Sequence, residues 1–147
     1  MLDLLDSRRL RYLLAALLRI AASPQPVSGR HLAEILHCPR RYLEPDMQAL
    51  VAAGILQSRR GAGGGYSLAR NAQRIALSDI LTCLQSLEEK QQPDACRLQH
   101  AVVMPLLKQA KASCHGQLKA WTLASFLHQA EQQGLIQVSD TAPNFSI

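Results

Sequence analysis

A chain of 147 residues, 48% hydrophobic and 18% charged, is long enough for one domain with its own core and a possible appendage. The net charge of +5 belongs to the first 80 residues, which hold eleven arginines and no lysine against six acidic residues, whereas the remainder holds five residues of each sign. The guanidinium group of arginine forms paired hydrogen bonds with phosphates and with guanine edges, so this distribution favours nucleic acid as a partner.

Two protein classes are disfavoured by the sequence. No apolar run approaches the length of about 20 residues that a membrane-spanning helix needs. The four cysteines lack the paired spacing of a disulfide framework. We therefore expect a cytoplasmic protein that does not enter a membrane.

The first long helix is predicted in "SRRLRYLLAALLRIAAS". Its apolar face holds Leu10, Leu13, Leu14, Leu17 and Ala21. Its opposite face holds Arg8, Arg11, Ala15 and Arg19. A signal peptide is the alternative, but Arg19 inside the apolar run and the preceding Asp3 and Asp6 disfavour export.

A helix-turn-helix is predicted next. Ser28 has the position of an N-cap for the short helix "SGRHLAEILH", whose inward residues are Leu32, Ile35 and Leu36. Pro39 in "HCPRR" suits the first position of the following helix, and Gly54 ends that helix. The second helix turns Leu43, Met47, Leu50 and Val51 inward and Arg40, Arg41, Glu44 and Gln48 outward. An ordinary solvated helix pair is the alternative.

Pro45 interrupts this second helix, because an interior proline removes a backbone hydrogen bond and clashes one turn back. One solution is a separate turn over residues 40–43, with Glu44 as cap and Pro45 as the first residue of the longer helix. Glu44 would then be less free to contact a base.

The Gly-rich segment "SRRGAGGGYSLAR" lies between two predicted strands, "ILQSRR" and "GYSLA". A nucleotide-binding loop would instead lead into a helix or end in Gly-Lys-Ser/Thr, and neither is present. Helix, turn, helix and hairpin in this order predict a winged helix, in which Arg59, Arg60 and Arg70 meet DNA phosphates.

The segments "PVSGRHLAEIL", "CPRRYLEPDMQALVAAGIL", "RRGAGGGYSLAR" and "IALSDILTCLQ" together resemble the Rrf-type winged-helix regulators of bacteria. The resemblance implies a homodimeric transcription regulator that binds a partly palindromic operator. We expect it to act as a repressor. It also implies which residues contact DNA. These are Ser28, Arg40, Arg41, Tyr42, Glu44 and Gln48, with Arg59 and Arg60 supporting the contact of the wing. Arg30 in the short helix is a further candidate for contact with DNA.

Cluster-binding members of that family offer three closely spaced cysteines in a loop where this sequence has only Cys96. We therefore expect no resident cofactor, with an iron-sulphur cluster or metal at Cys96 as the alternative. Oxidation of Cys96 or Cys114 is a further alternative. Cys38 and Cys83 are expected to pack in the core.

We therefore expect a mainly α protein with a small β-hairpin wing. Residues 1–88 form a winged helix-turn-helix domain, 89–135 a sensor loop and dimerisation helices, and 136–147 a flexible tail. The wide apolar arc of residues 98–112 favours a homodimer. Since no catalytic motif is present, an enzyme is disfavoured, whereas a winged-helix protein-interaction module remains an alternative.

Overall fold

The computed structural model describes residues 2–88, 101 and 104–138. Its helices are α1 (Leu2–Leu5), α2 (Arg8–Ala22), α3 (Gly29–Ile35), α4 (Arg40–Ala52), α5 (Leu77–Glu88), α6 (Met104–Leu118) and α7 (Leu123–Gln132). Two strands, β1 (Leu56–Arg59) and β2 (Gly65–Leu68), and a short 3-10 turn (Ala72–Arg74) follow α4. None of the described helices is long and apolar enough to cross a membrane.

Helix α2 supplies one wall of the core. Its first turn is capped by Ser7, whose hydroxyl accepts a hydrogen bond from the Leu10 amide at 3.1 Å. Its buried face contains Leu10, Leu13, Ala16, Leu17 and Ile20. The predicted amphipathic pattern is confirmed, although Leu14 and Ala21 at its border are only half-buried.

Helices α3 and α4 form the predicted helix-turn-helix. Ser28 is the N-cap of α3, and its hydroxyl accepts from the His31 amide at 3.1 Å. Pro39 is the N-cap of α4 instead of the predicted first helical residue. Its ψ of 132° lies outside the helical range, and the Tyr42 amide donates to its carbonyl at 2.9 Å in the first turn.

The predicted break at Pro45 is wrong, because α4 is continuous from Arg40 to Ala52. Pro45 deprives the carbonyl of Arg41, four residues earlier, of its helical partner. Both residues lie on the exposed side of α4, where solvent is available to hydrogen-bond the freed carbonyl. Glu44 is therefore an exposed helical residue and has no capping role.

The two strands form an antiparallel hairpin in which Leu56 pairs with Leu68 and Arg59 with Gly65. This hairpin is the wing. Gly65 has a φ of +147°, and a Cβ there would lie 2.4 Å from the carbonyl carbon and oxygen of Val27. Glycine is thus required at the point where the wing docks beside the start of α3.

The C-terminal helices differ in their packing. Helix α7 returns to the winged domain, where Leu123 is buried and its amide donates to the Ile75 carbonyl at 2.9 Å. The sequence predicts that α7 belongs to the segment of sensor loop and dimerisation helices, residues 89–135. In the structure, α7 packs against α2 and the 3-10 turn. Residues 105–113 of α6, in contrast, are all exposed.

Candidate nucleic-acid interface

The outward face of α4 carries the predicted base-contacting side chains. Arg40, Arg41, Glu44 and Gln48 are all exposed, as their helical spacing predicts. Arg40 and Glu44, one turn apart, form an exposed ion pair at 3.9 Å. Such a pair contributes little to stability, so DNA is able to displace it. Arg41 forms no ion pair within the described part of the chain.

The start of α3 lies beside this face. The Ser28 hydroxyl is engaged as an acceptor by its capping bond and keeps its own proton to donate. Arg30 is exposed and pairs with Glu34 at 3.1 Å, one turn further along α3. Both predicted residues are therefore accessible to a phosphate.

The wing carries Arg59 at the end of β1 and Arg60 directly after it, both exposed. Gly61 and Gly63, with φ values of +94° and +72°, form the tight tip beyond them. The structure thus holds these two arginines on a short hairpin beside α4.

Tyr66 on β2 connects the wing to both helices. Its amide donates to the Val27 carbonyl at 2.8 Å, and the Val27 amide donates to its carbonyl at 2.9 Å. Its hydroxyl accepts a hydrogen bond from Nε2 of Gln48 on α4 at 3.2 Å. Sequence patterns did not single out Tyr66, although strand alternation with the buried Leu68 places both side chains on the helix-facing side.

Arg70 lies apart from the other predicted arginines, at the base of the hairpin. Its Nη2 donates to Oδ2 of Asp79 at 3.4 Å, and the same carboxylate oxygen accepts from the Ala76 amide at 3.1 Å. The structure therefore brings Arg70 to the start of α5 and not to Arg59 and Arg60.

Two contacts hold α4 against α2, on the side of α4 that faces away from the wing. The rings of Tyr42 and Tyr12 meet edge to face, with their centroids 6.0 Å apart and an interplanar angle of 80°. Asp46 is 2% exposed, and Nε of Arg9 donates to both of its carboxylate oxygens at 2.9 Å. Helix α4 is thus held by the wing on one side and by α2 on the other.

The described thiols lie on separate elements. Cys38 is buried in the α3–α4 turn, and burial raises its pKa. Burial also raises the pKa of Cys83 on α5, the Asp79 carboxylate raises it further, and the Arg70 guanidinium lowers it. Both thiols are therefore protonated and poorly reactive at neutral pH.

Cys114 is half-buried on α6, whereas Cys96 lies outside the described residues. Within the described ranges, no three His, Cys, Asp or Glu side chains come together as metal ligands. This part of the chain therefore offers no set of ligands that fits an iron ion.

Comparisons with known proteins identify one family. Residues 6–129 match the family model described as "Rrf2: Iron-dependent Transcriptional regulator". The protein rrf2 of Nitratidesulfovibrio vulgaris is 31% identical over 129 residues, which cover 83% of this chain and 86% of that relative. The resemblance that the sequence motifs predict is confirmed.

Solved structures share the fold. IscR of T. potens is 32% identical with a TM-score of 0.64, covering 89% of this chain and 91% of that one. The oxidised form of Staphylococcus aureus CymR is 25% identical with a TM-score of 0.59, covering 82% and 94% respectively. The predicted winged-helix fold class is therefore confirmed.

Proposed function

Since the chain belongs to the Rrf2 family of transcriptional regulators, we propose that it acts as a homodimer that represses transcription from a partly palindromic operator. It is a DNA-binding regulator of the winged-helix type. We propose, beyond DNA binding itself, that the protein is a dimer, that it represses transcription and that its operator is symmetric. We also propose that it is a bacterial cytoplasmic protein that catalyses no reaction.

One observation carries the proposal, namely the placement of the Arg59–Arg60 wing beside the exposed face of α4. Arg41 and Gln48 on that face reach outward with side chains that recognise base edges, guanine for Arg and adenine for Gln. The wing arginines supply phosphate contacts that do not depend on sequence. Specific and non-specific contacts thus lie on one surface.

Helix α6 supports the dimer. Leu106 and Leu107 are 61% and 63% exposed in the single chain. Two large apolar side chains at neighbouring positions favour burial against a second copy. A symmetric dimer would place two α4 helices in successive major grooves about 34–36 Å apart, or a multiple of that.

Selection of genomic fragments by the purified protein tests the operator, followed by binding measurements with Arg41→Ala and Arg41→Lys. We expect Arg41→Ala to reduce discrimination at one base pair of each half-site by about 1–3 kcal/mol. Arg41→Lys keeps the charge but not the bidentate geometry, so it should lose discrimination while retaining most non-specific affinity. An equal loss on every duplex would contradict base contact by Arg41.

Oxidation of a thiol is the second candidate, as a signal that changes DNA affinity. The likeness to the solved oxidised form of CymR supports it. Cys114 is half-buried, whereas the raised pKa values of Cys38 and Cys83 disfavour the reactive thiolate at those two positions. We propose Cys96 and Cys114 as the responsive thiols and no resident cofactor. Peroxide should then change operator affinity in the unmodified protein but not in Cys96→Ser/Cys114→Ser.

Anaerobic purification with metal analysis and an absorbance spectrum tests the cofactor proposal. We expect no stoichiometric iron. Visible charge-transfer bands together with bound iron would overturn the proposal.

A further inference from the structure

We infer that Arg8 and Arg11 on α2 form a second phosphate-contacting surface, which meets the DNA strand on the side of α4 opposite the wing. The inference rests on the proposed DNA contact of α4. It assigns a function to arginines that the motifs of the helix-turn-helix and the wing leave out.

The two sides of α4 have different neighbours. On one side, Gln48 is hydrogen-bonded to Tyr66 of the wing. On the other side, Tyr42 packs against Tyr12 of α2, and Asp46, one turn later, is also held by α2. At 3.6 residues per turn, the row of side chains that contains Tyr42 and Asp46 runs along one side of α4. The row that contains Gln48 runs along the opposite side.

The outermost part of α4 lies between these two sides. Arg41 and Pro45 are exposed there, while Leu43, Met47 and Leu50 are buried beneath them. A duplex that receives Arg41 in its major groove therefore has the wing along one edge of the groove and α2 along the other.

The dimensions of a duplex fit this arrangement. The major groove is about 12 Å wide, and an α-helix with its side chains is about 10–12 Å across. A helix that fills the groove brings its flanking elements to the two phosphate backbones that border it. The wing arginines meet one backbone, and α2 meets the other.

Arg8 and Arg11 are the cations that α2 presents at that edge. Both are exposed, and neither forms an ion pair with any described side chain. Together with Tyr12, Ala15 and Leu36 they line an open groove between α2 and the end of α3. Leu36 is the C-cap of α3, and Tyr12 contacts Tyr42, so the groove adjoins the surface of α4.

The continuity of this surface and its charge identify the occupant as a phosphodiester backbone. Arginine presents five donors in a planar fork that matches phosphate oxygens. An acidic protein segment is the rival occupant, and the experiment separates the two.

The test compares Arg8→Ala/Arg11→Ala with Arg74→Ala/Lys119→Ala in a salt titration of binding to the selected operator. Arg74 and Lys119 are exposed and lie outside α2, α4 and the wing. Each double variant lowers the formal net charge from +5 to +3 by removing two cations. We expect the slope of log K against log salt to fall by about four, two for each protomer of the dimer, for Arg8→Ala/Arg11→Ala only.

Ethylation interference locates the contacts. We expect unmodified protein to lose binding when phosphates on either border of the major groove are ethylated. Arg8→Ala/Arg11→Ala should be insensitive on the border away from the wing. A matching slope in both double variants, or an unchanged ethylation pattern, would overturn the inference, as would capture of an acidic peptide with unaltered DNA binding.

Failure of the proposed function has a different signature. In that case the unmodified protein shows no operator selection and no salt-dependent binding. If it binds and Arg59→Ala/Arg60→Ala flattens the slope while Arg8→Ala/Arg11→Ala does not, only the assignment of α2 is wrong.

Discussion

The Gln48 side chain on α4 donates a hydrogen bond to the hydroxyl of Tyr66 on the wing, with 3.2 Å between Nε2 and the phenolic oxygen. Tyr66 is itself fixed by two backbone hydrogen bonds to Val27 at the start of α3. The amide of Gln48 is therefore oriented by the wing before DNA arrives. This arrangement links the phosphate-contacting element to a predicted base-contacting side chain.

Tyr66→Phe removes this orientation while keeping the ring. We expect the variant to fold normally and to lose about 1 kcal/mol of discrimination at the base pair that Gln48 contacts. Competition binding with single-base operator variants measures the effect.

A double-mutant cycle with Gln48→Ala is the control for this prediction. If the hydroxyl acts through Gln48, Tyr66→Phe should add nothing once Gln48 is removed. Additive losses of discrimination in Tyr66→Phe/Gln48→Ala would contradict the coupling.

Arg59→Ala/Arg60→Ala tests the wing. Both arginines are exposed on the hairpin, and phosphate contacts carry no base information. We therefore expect weaker binding to every duplex and a salt slope lower by about four, two for each protomer of the dimer. Fluorescence anisotropy on the operator and on a scrambled duplex measures both quantities, with Arg74→Ala/Lys119→Ala as the charge-matched control. Unchanged affinity and slope would refute the wing assignment.

Helical periodicity was sufficient to predict which side of α4 is exposed, because the apolar residues Leu43, Met47 and Leu50 recur at the spacing of one face. Local patterns also located the cap at Ser28 and the hairpin. These features depend on residues within a few positions of one another.

The contacts that orient α4 depend on residues distant in sequence. Gln48 and Tyr66 are 18 residues apart, and Arg9 and Asp46 are 37 residues apart. Their pairing requires the packed tertiary structure, which periodicity does not specify. The contact between Arg70 and Asp79 on α5 likewise depends on packing that the strand pattern does not specify.

Asp46→Ala tests the brace between α2 and α4. The Asp46 side chain is 3% exposed and the Arg9 side chain 25% exposed, so removal of Asp46 breaks a largely buried ion pair in which Nε of Arg9 donates to both carboxylate oxygens. We expect a loss of about 2–3 kcal/mol in the free energy of unfolding, near the lower end for a broken buried pair. Urea denaturation followed by circular dichroism measures it.

A hydrophobic replacement of both partners is the matched control. Arg9→Met/Asp46→Leu removes both charges of the pair and should recover stability to within about 1 kcal/mol of the unmodified protein. If Asp46→Ala unfolds at the same urea concentration as the unmodified chain, the ion pair does not brace α4.

Leu106→Glu tests the dimer surface on α6. Leu106 is 61% exposed in the single chain, so a charge there is harmless to the monomer but is desolvated in an interface. We expect sedimentation equilibrium to show a monomer and operator affinity to fall by about 100-fold or more, because two linked half-sites no longer bind together. Leu135→Glu is the control, since Leu135 is 66% exposed and lies beyond α7. A Leu106→Glu protein that remains a dimer would place the interface elsewhere.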